Sequence, residues 1–227
     1  LAAKAARGTK IIVIDPRRTA SCDAADLHLP LKIGSDVALF NHLLAEIVAR
    51  GAQDQTFLQN TNGFDAALAS ARANDLSATA LDPADVARFC DMWIDTKKVM
   101  TVFSQGVNQS TSGADKVNAI LNCHLATGRI GTPGCGPLSV TGQPNAMGGR
   151  EVGGLANMLA CHLDLENADH RGAVQRFWQA PEMPAAQGLK AGDMFRAVGD
   201  GQLTALWIIH TNPAVSNHDA TAVPHPH

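Results

Sequence analysis

IIVIDPRRT, Ile11 to Thr19, is an apolar, β-branched run that breaks off on an acid, a proline and two arginines. A run of this kind bounded by turn formers reads as a buried strand, and the residues after it fall at the strand's carboxyl end. Two further runs have the same form: KVMTVF (Lys98–Phe103), followed by SQGVNQS, and TALWIIH (Thr204–His210), followed by TNP. Helix patterns lie between them. Ser35 or Asp36 can cap a helix carrying Val37, Phe40, Leu44 and Ile47, with Gly51 as its stop. Asp82–Pro83 opens a second, with Val86, Phe89 and Trp93 on one face. Ser112 with Asp115 has the form of a capping box before Val117, Ile120, Leu121 and His124, and Gly128 ends that helix. Strands alternating with helices predict an α/β fold of largely parallel, Rossmann-like sheets flanked by helices. Residues 53–80 have weak periodicity and read as small helices and loops near a domain boundary.

The 227 residues, 45% hydrophobic, suffice for one large or two small domains with a core. A net charge of −3 leaves no basic footprint, so a nucleic-acid partner is not expected. No apolar run approaches the roughly 18 residues that cross a bilayer, and no signal-peptide pattern is visible. The expectation is a soluble, cytoplasmic protein with no membrane partner. Five scattered cysteines, odd in number and without a C-x-x-C, fit reduced thiols. The opening LAAKAARGTK reads as the last turns of a helix and suggests an internal fragment of a longer protein.

In open α/β sheets, ligands sit beyond the carboxyl ends of the strands. Asp15, Pro16, Arg17, Arg18 and Thr19 therefore offer an acceptor for a ribose hydroxyl or guanine edge beside two guanidiniums suited to phosphate, or else an Asp-Pro turn with solvated arginines. In SQGVNQS, Gly106 permits close backbone approach, and the carboxamides of Gln105, Asn108 and Gln109 suit a polar heterocycle or a helix cap. Thr211 and Asn212 precede Pro213 in a candidate Asx turn. Neither a dinucleotide-binding glycine fingerprint nor a P-loop is present. Cys123 with His124, and Cys161 with His162, diverge by about 100° on a helix and cannot share one metal. No metal ligand is assigned, and the terminal PHPH reads as a frayed tail.

PGCGPLSVTGQPNAMGG (Pro133–Gly149) places five glycines and three prolines in seventeen residues, a composition that argues against regular structure and for close packing on something. No aromatic occurs between Phe103 and Phe177, as backbone wrapped around a bulky cofactor would require. Arg150 follows, the one Lys or Arg between Arg129 and Arg171, at the start of an apparent helix REVGGLANMLACHL. There its guanidinium and a helix N-terminus would together favour an anion, unless it pairs with Glu151 or another acid.

In order, KIIVIDPRRTASCDAADLHLPLKIGSDVALFN (10–41), VFSQGVNQSTSGADKVNAILNCHLATGRIGTPGCGPLSVTGQPNAMGGREVGG (102–154) and LWIIHTNPAVS (206–216) resemble the middle of molybdopterin oxidoreductases of the dimethyl sulfoxide reductase superfamily. Within it they are most similar to assimilatory nitrate reductases, with periplasmic nitrate reductases close by. The resemblance implies parts of two α/β domains, residues 1–95 with a helical segment and residues 96–227, around a molybdenum bis(molybdopterin guanine dinucleotide). It implies that Asp15, Pro16, Arg17, Arg18 and Thr19, with Gly34, Ser35 and Asp36, hold one guanine dinucleotide arm. Gln105, Gln109 and Asn212 would contact the pterin or its phosphates, and Gln143 and Arg150 would line the substrate funnel. The implied activity is reduction of nitrate to nitrite by oxygen-atom transfer, with Arg150 orienting the anion, Gln143 hydrogen-bonding it, and an electron-donor protein or domain supplying electrons through a 4Fe-4S cluster. The molybdenum-ligating and cluster-ligating cysteines of the family lie upstream, none of the five here matches them, and the isolated fragment is expected to be inactive. The alternatives are another superfamily member such as a formate dehydrogenase, or a non-catalytic α/β nucleotide-binding module in which the glycine-rich stretch is a lid.

Overall fold

The computed structural model describes residues 2–216; the PHPH tail lies outside them. The chain divides into two compact units, residues 1–142 and 143–227. The junction expected at 95–96 falls inside the first. In chain order the helices are α1 (Ala2–Arg7), α2 (Asp36–Ala49), α3 (Gln55–Leu58), α4 (Phe64–Arg72), α5 (Pro83–Asp95), α6 (Gln105–Asn108), α7 (Gly113–Ala126), α8 (Ala146–Glu151), α9 (Ala168–Trp178), α10 (Ala191–Gly199) and α11 (Pro213–Ser216). The strands are β1 (Ile12–Ile14), β2 (Leu27–Leu29), β3 (Met100–Phe103) and β4 (Gly136–Ser139).

Two parallel ladders organise the first unit. β1 pairs with β2, with Ile12 opposite Leu27 and Ile14 opposite Leu29. β3 pairs with β4, with Met100 opposite Gly136 and Phe103 opposite Ser139, after a crossover through α6 and α7. The strands at Ile11 and Lys98 thus form where their β-branched runs predict. The third run does not: residues 204–210 join no ladder, and Trp207 and Ile209 stand 87% and 67% exposed. β-propensity becomes a strand only when a neighbour accepts its backbone hydrogen bonds, and no described residue does so here. The expectation for the glycine-rich stretch is also corrected, because its residues 136–139 are β4. Gly136 adopts φ +120°, and its N–H donates to Val99 O at 3.0 Å, so the ladder begins on a conformation that favours glycine.

α2 and α7 pack against each other, and α5 joins them. The core buries Leu39, Leu43, Leu44 and Ile47 from α2, Val86, Phe89, Cys90 and Trp93 from α5, and Ala119, Ile120 and Cys123 from α7. Phe40 and Phe89 meet edge-on, with ring centroids 6.2 Å apart. α5 starts as its sequence dictates, with Pro83 at the first helical position and the Asp82 carboxylate accepting from Ala84 N at 2.7 Å. The capping box at Ser112 does not form: the Ser112 side chain makes no cap hydrogen bond. Gly128, at φ +62°, ends α7 as expected.

The second unit has a small core of Leu159, Leu165 and Val174, with Leu163 and Met183 packed on it. The helix expected to begin at Arg150 ends there instead. Asn145, in the left-handed region at φ 56°, caps α8 by accepting from Gly148 N, and Arg150 lies in the last turn. A helix C-terminus presents carbonyl oxygens, so α8 gives Arg150 no help with an anion. Among the described residues, no helix is long and apolar enough to cross a membrane.

Candidate functional site

β1 and β3 are parallel to their partners, and a cavity of about 470 Å³ opens beyond their carboxyl ends, within the first unit. Its walls come from four places in the chain. Ile14 ends β1 and Asp15, Pro16 and Arg17 follow it; Leu31, Ile33 and Gly34 lead into α2, which adds Asp36 and Phe40; Thr101 to Ser104, with Gly106 and Val107, continue β3 into α6; Lys116 and Ile120 come from α7. The volume is in the range of small-molecule and cofactor sites.

The Asp15–Pro16–Arg17 corner is held by its own backbone. Asp15 Oδ1 accepts from Arg17 N at 2.7 Å, and Asp15 O is 2.9 Å from His28 Nε2 on β2. The Arg17 guanidinium is 82% exposed, with its Nε 3.9 Å from Asp15 Oδ1. It is a solvated cation at the cavity rim, free to reach a phosphate. Arg18 turns the other way, its Nη2 3.6 Å from Asp23, and Thr19 caps the 3₁₀ turn Ala20–Ala24 without a side-chain bond. Gly34 lies at φ +88°, and Ser35 is buried with its hydroxyl donating to Lys32 O at 2.6 Å.

Five of the sequence candidates, Asp15, Pro16, Arg17, Gly34 and Asp36, therefore converge on one cavity from two separate motifs. Arg18, Thr19 and Ser35 flank it in sequence without lining it. Gln105 and Gln109 are exposed at the two ends of α6, whose middle residues Gly106 and Val107 line the cavity instead. Asn212, Gln143 and Arg150 belong to the second unit, where all three are exposed and Asn212 and Gln143 have partners of their own. Arg150 forms no ion pair with Glu151 or any other described acid.

Sequence reasoning passes over Lys116. It is only 4% exposed, its Nζ lies 2.9 Å from Asp36 Oδ2, and it donates to Gly106 O at 3.4 Å. The available signal is position: on α7 it shares a face with Ala119, Ile120 and Cys123, at spacings of three, four and seven residues from a lysine. A lysine on an apolar helix face needs a partner, and Asp36 is that partner.

The cysteines are not part of this site. Cys123 is fully buried, with Sγ 3.2 Å from Phe40 O, and burial pushes its thiol far up; burial also raises Cys90 to about 12. Among the described residues, no three His, Cys, Asp or Glu side chains gather where a metal could be held.

Residues 1–225 match the family described as molybdopterin oxidoreductase. A nitrate reductase of Klebsiella oxytoca is 48% identical over 218 residues, covering 94% of this chain and 25% of that protein. The assimilatory nitrate reductase catalytic subunit of Bacillus subtilis is 34% identical over 223 residues, covering 95% of this chain and 31% of that protein. The chain thus spans a quarter to a third of the length of these relatives. Acetylene hydratase from Pelobacter acetylenicus aligns with a TM-score of 0.53 at 24% identity over 59% of this chain and 19% of that one, a likeness of fold.

Proposed function

This chain belongs to the molybdopterin oxidoreductase family, and from that premise we propose that it is part of a molybdenum-dependent nitrate reductase holding one nucleotide arm of a bis(molybdopterin guanine dinucleotide) cofactor. The observation that carries the reading is the cavity beyond β1 and β3, which gathers Asp15, Arg17, Gly34 and Asp36 from two distant motifs. Its donor set fits a nucleotide: an exposed guanidinium for phosphate at the rim, carboxylates for hydroxyl or base donors, and apolar walls for a heterocycle. When bound, the cofactor supplies two-electron oxygen-atom transfer, taking one oxygen from nitrate and releasing nitrite.

This chain's own part is binding and orientation. Arg17 would neutralise phosphate charge, and Asp15, fixed by the Arg17 N–H, would accept from the ligand in one defined direction. Arg150, unpaired by any described acid, would attract and orient the nitrate anion through its guanidinium alone, and Gln143 would donate a hydrogen bond to it. An iron-sulfur cluster, an electron donor and a cytoplasmic location belong to the same proposal.

The test is made on the full-length protein. Purified intact, it should contain molybdenum and pterin, release GMP on acid hydrolysis, and reduce nitrate with a chemical electron donor while leaving formate unoxidised. Formate oxidation without nitrate reduction would transfer the assignment to the formate branch. A fully matured protein without molybdenum or pterin would leave a nucleotide-binding module.

A further inference from the structure

Ser104 opens α6 at the N-cap position but makes no cap hydrogen bond. A serine there ordinarily accepts from the N–H groups of its own helix. Its hydroxyl instead donates to Val140 O, just past β4, at 2.7 Å. Asn108, the last residue of α6, also turns to that strand, its Nδ2 donating to Ser139 Oγ at 3.2 Å. Val140 N donates in turn to Phe103 O at 2.9 Å. Three hydrogen bonds thus stitch the turn after β3 to the last residue of β4 and the one beyond it. Asn108 is itself fixed: its N–H donates to Ser104 O at 3.1 Å, and its carbonyl packs on Gly113 at the start of α7, where a Cβ would have no room.

This clamp lies where a functional residue leaves the sheet. Gln143 is the third residue after Val140, and three residues span at most about 10 Å. Pro144 follows and restricts the Gln143 backbone to extended conformations. Where Val140 is held therefore sets most of the range open to the Gln143 side chain. We propose that Asn108 and Ser104 are positioning residues for the nitrate anion: by holding Ser139 and Val140 they fix the take-off of residues 140–143 and keep the Gln143 carboxamide within reach of its acceptor. This inference rests on the functional reading above and deepens it. Neither residue touches the anion in this role, and both act through Gln143. Asn108 lies outside the lining of the cavity beyond β1 and β3, so its effect is separable from cofactor retention. A hydrogen bond needs its heavy atoms within about 3 Å, so a shift of the segment by about 1 Å is enough to lose it.

The test uses the full-length enzyme, with nitrate KM, kcat and molybdenum content measured for wild type, Asn108→Ala, Asn108→Ala/Ser104→Ala, Gln143→Ala and the triple variant. The Asn108→Ala/Ser104→Ala enzyme should show a nitrate KM raised about tenfold, as expected for loss of one charge-assisted hydrogen bond, with kcat changed less than about twofold and molybdenum at the wild-type level. Asn108→Ala alone should show part of that rise. In the Gln143→Ala background the same two substitutions should change KM by less than about twofold, because the group they position is gone; a clamp that only supported the fold would cost the same in both backgrounds. A KM unmoved by the paired substitutions, an equal rise in both backgrounds, or loss of molybdenum from the Asn108→Ala enzyme overturns the inference and leaves the functional reading standing. Failure of that reading is seen separately, in wild-type protein that carries no molybdenum or reduces no nitrate, and it removes this inference with it.

Discussion

Thr101 Oγ1 and His124 Nε2 stand 2.8 Å apart, which ties β3, a wall of the cavity, to the core face of α7. His124 is fully buried and packs edge-on against Trp93, with ring centroids 5.3 Å apart. Burial lowers its pKa from 6.5 to about 4. The unfolded chain therefore binds a proton near pH 6.5 that the folded chain refuses until about pH 4. Stability should fall as pH drops through that window and level off below it, by roughly 3 kcal/mol in all. The check is urea denaturation of wild type and His124→Leu between pH 4 and pH 7, where the variant should lack this part of the slope.

Thr101→Val removes the hydroxyl that partners the buried His124 Nε2 and leaves that nitrogen unsatisfied. We expect a loss of about 1–3 kcal/mol, read from the urea midpoint at pH 7.

Arg129 closes the end of α5. Its Nη1 donates to Trp93 O at 2.8 Å, its Nη2 to Ile94 O at 3.0 Å, and its guanidinium lies 4.5 Å from the Trp93 ring centroid. Lysine cannot reproduce a planar fork that also stacks, so Arg129→Lys should cost about 1–2 kcal/mol and Arg129→Ala more, as lowered melting temperatures would show.

Two glycines should behave oppositely. A Cβ on Gly113 would come within 2.4 Å of Asn108 O, so Gly113→Ala must displace backbone at the α6–α7 junction and should destabilise by about 1–3 kcal/mol. A Cβ on Gly106 meets nothing within 4 Å. Gly106→Ala should keep the melting temperature while reducing nucleotide content, because that residue lines the cavity. Melting curves and released GMP distinguish the two effects.

Arg150→Ala in the full-length enzyme should raise the nitrate KM at least about tenfold while molybdenum content stays at the wild-type level. Unchanged KM and kcat would remove Arg150 from the anion site.

Much of this was legible because local signals and tertiary context agree. Ile11–Asp15 and Lys98–Phe103 read as strands and contain β1 and β3, and Asp82–Pro83 and Gly128 mark helix ends where they say they do. β2 was missed because Leu27–Leu29 is only three residues long, and a single Leu-His-Leu alternation is too short to stand out as a strand. β4 was hidden by Pro133, Pro137 and the glycines, yet a ladder beginning at a left-handed residue needs a glycine there. α8 stops at Glu151 although apolar residues continue, because Gly153 and Gly154 follow and a Cβ on Gly153 would fall 2.6 Å from Ala160 N. For the site, strand ends located Asp15, Arg17 and the Gly34–Asp36 turn. Lys116 required knowing which face of α7 is buried, information carried by its partner Asp36, eighty residues earlier in the chain.

The unladdered run Thr204–His210 has a practical corollary. With Trp207 and Ile209 turned to solvent, it offers apolar side chains on unladdered chain to any other copy of itself. A preparation of this 227-residue stretch should accordingly self-associate as its concentration rises, and charged residues at positions 207 and 209 should keep it in solution.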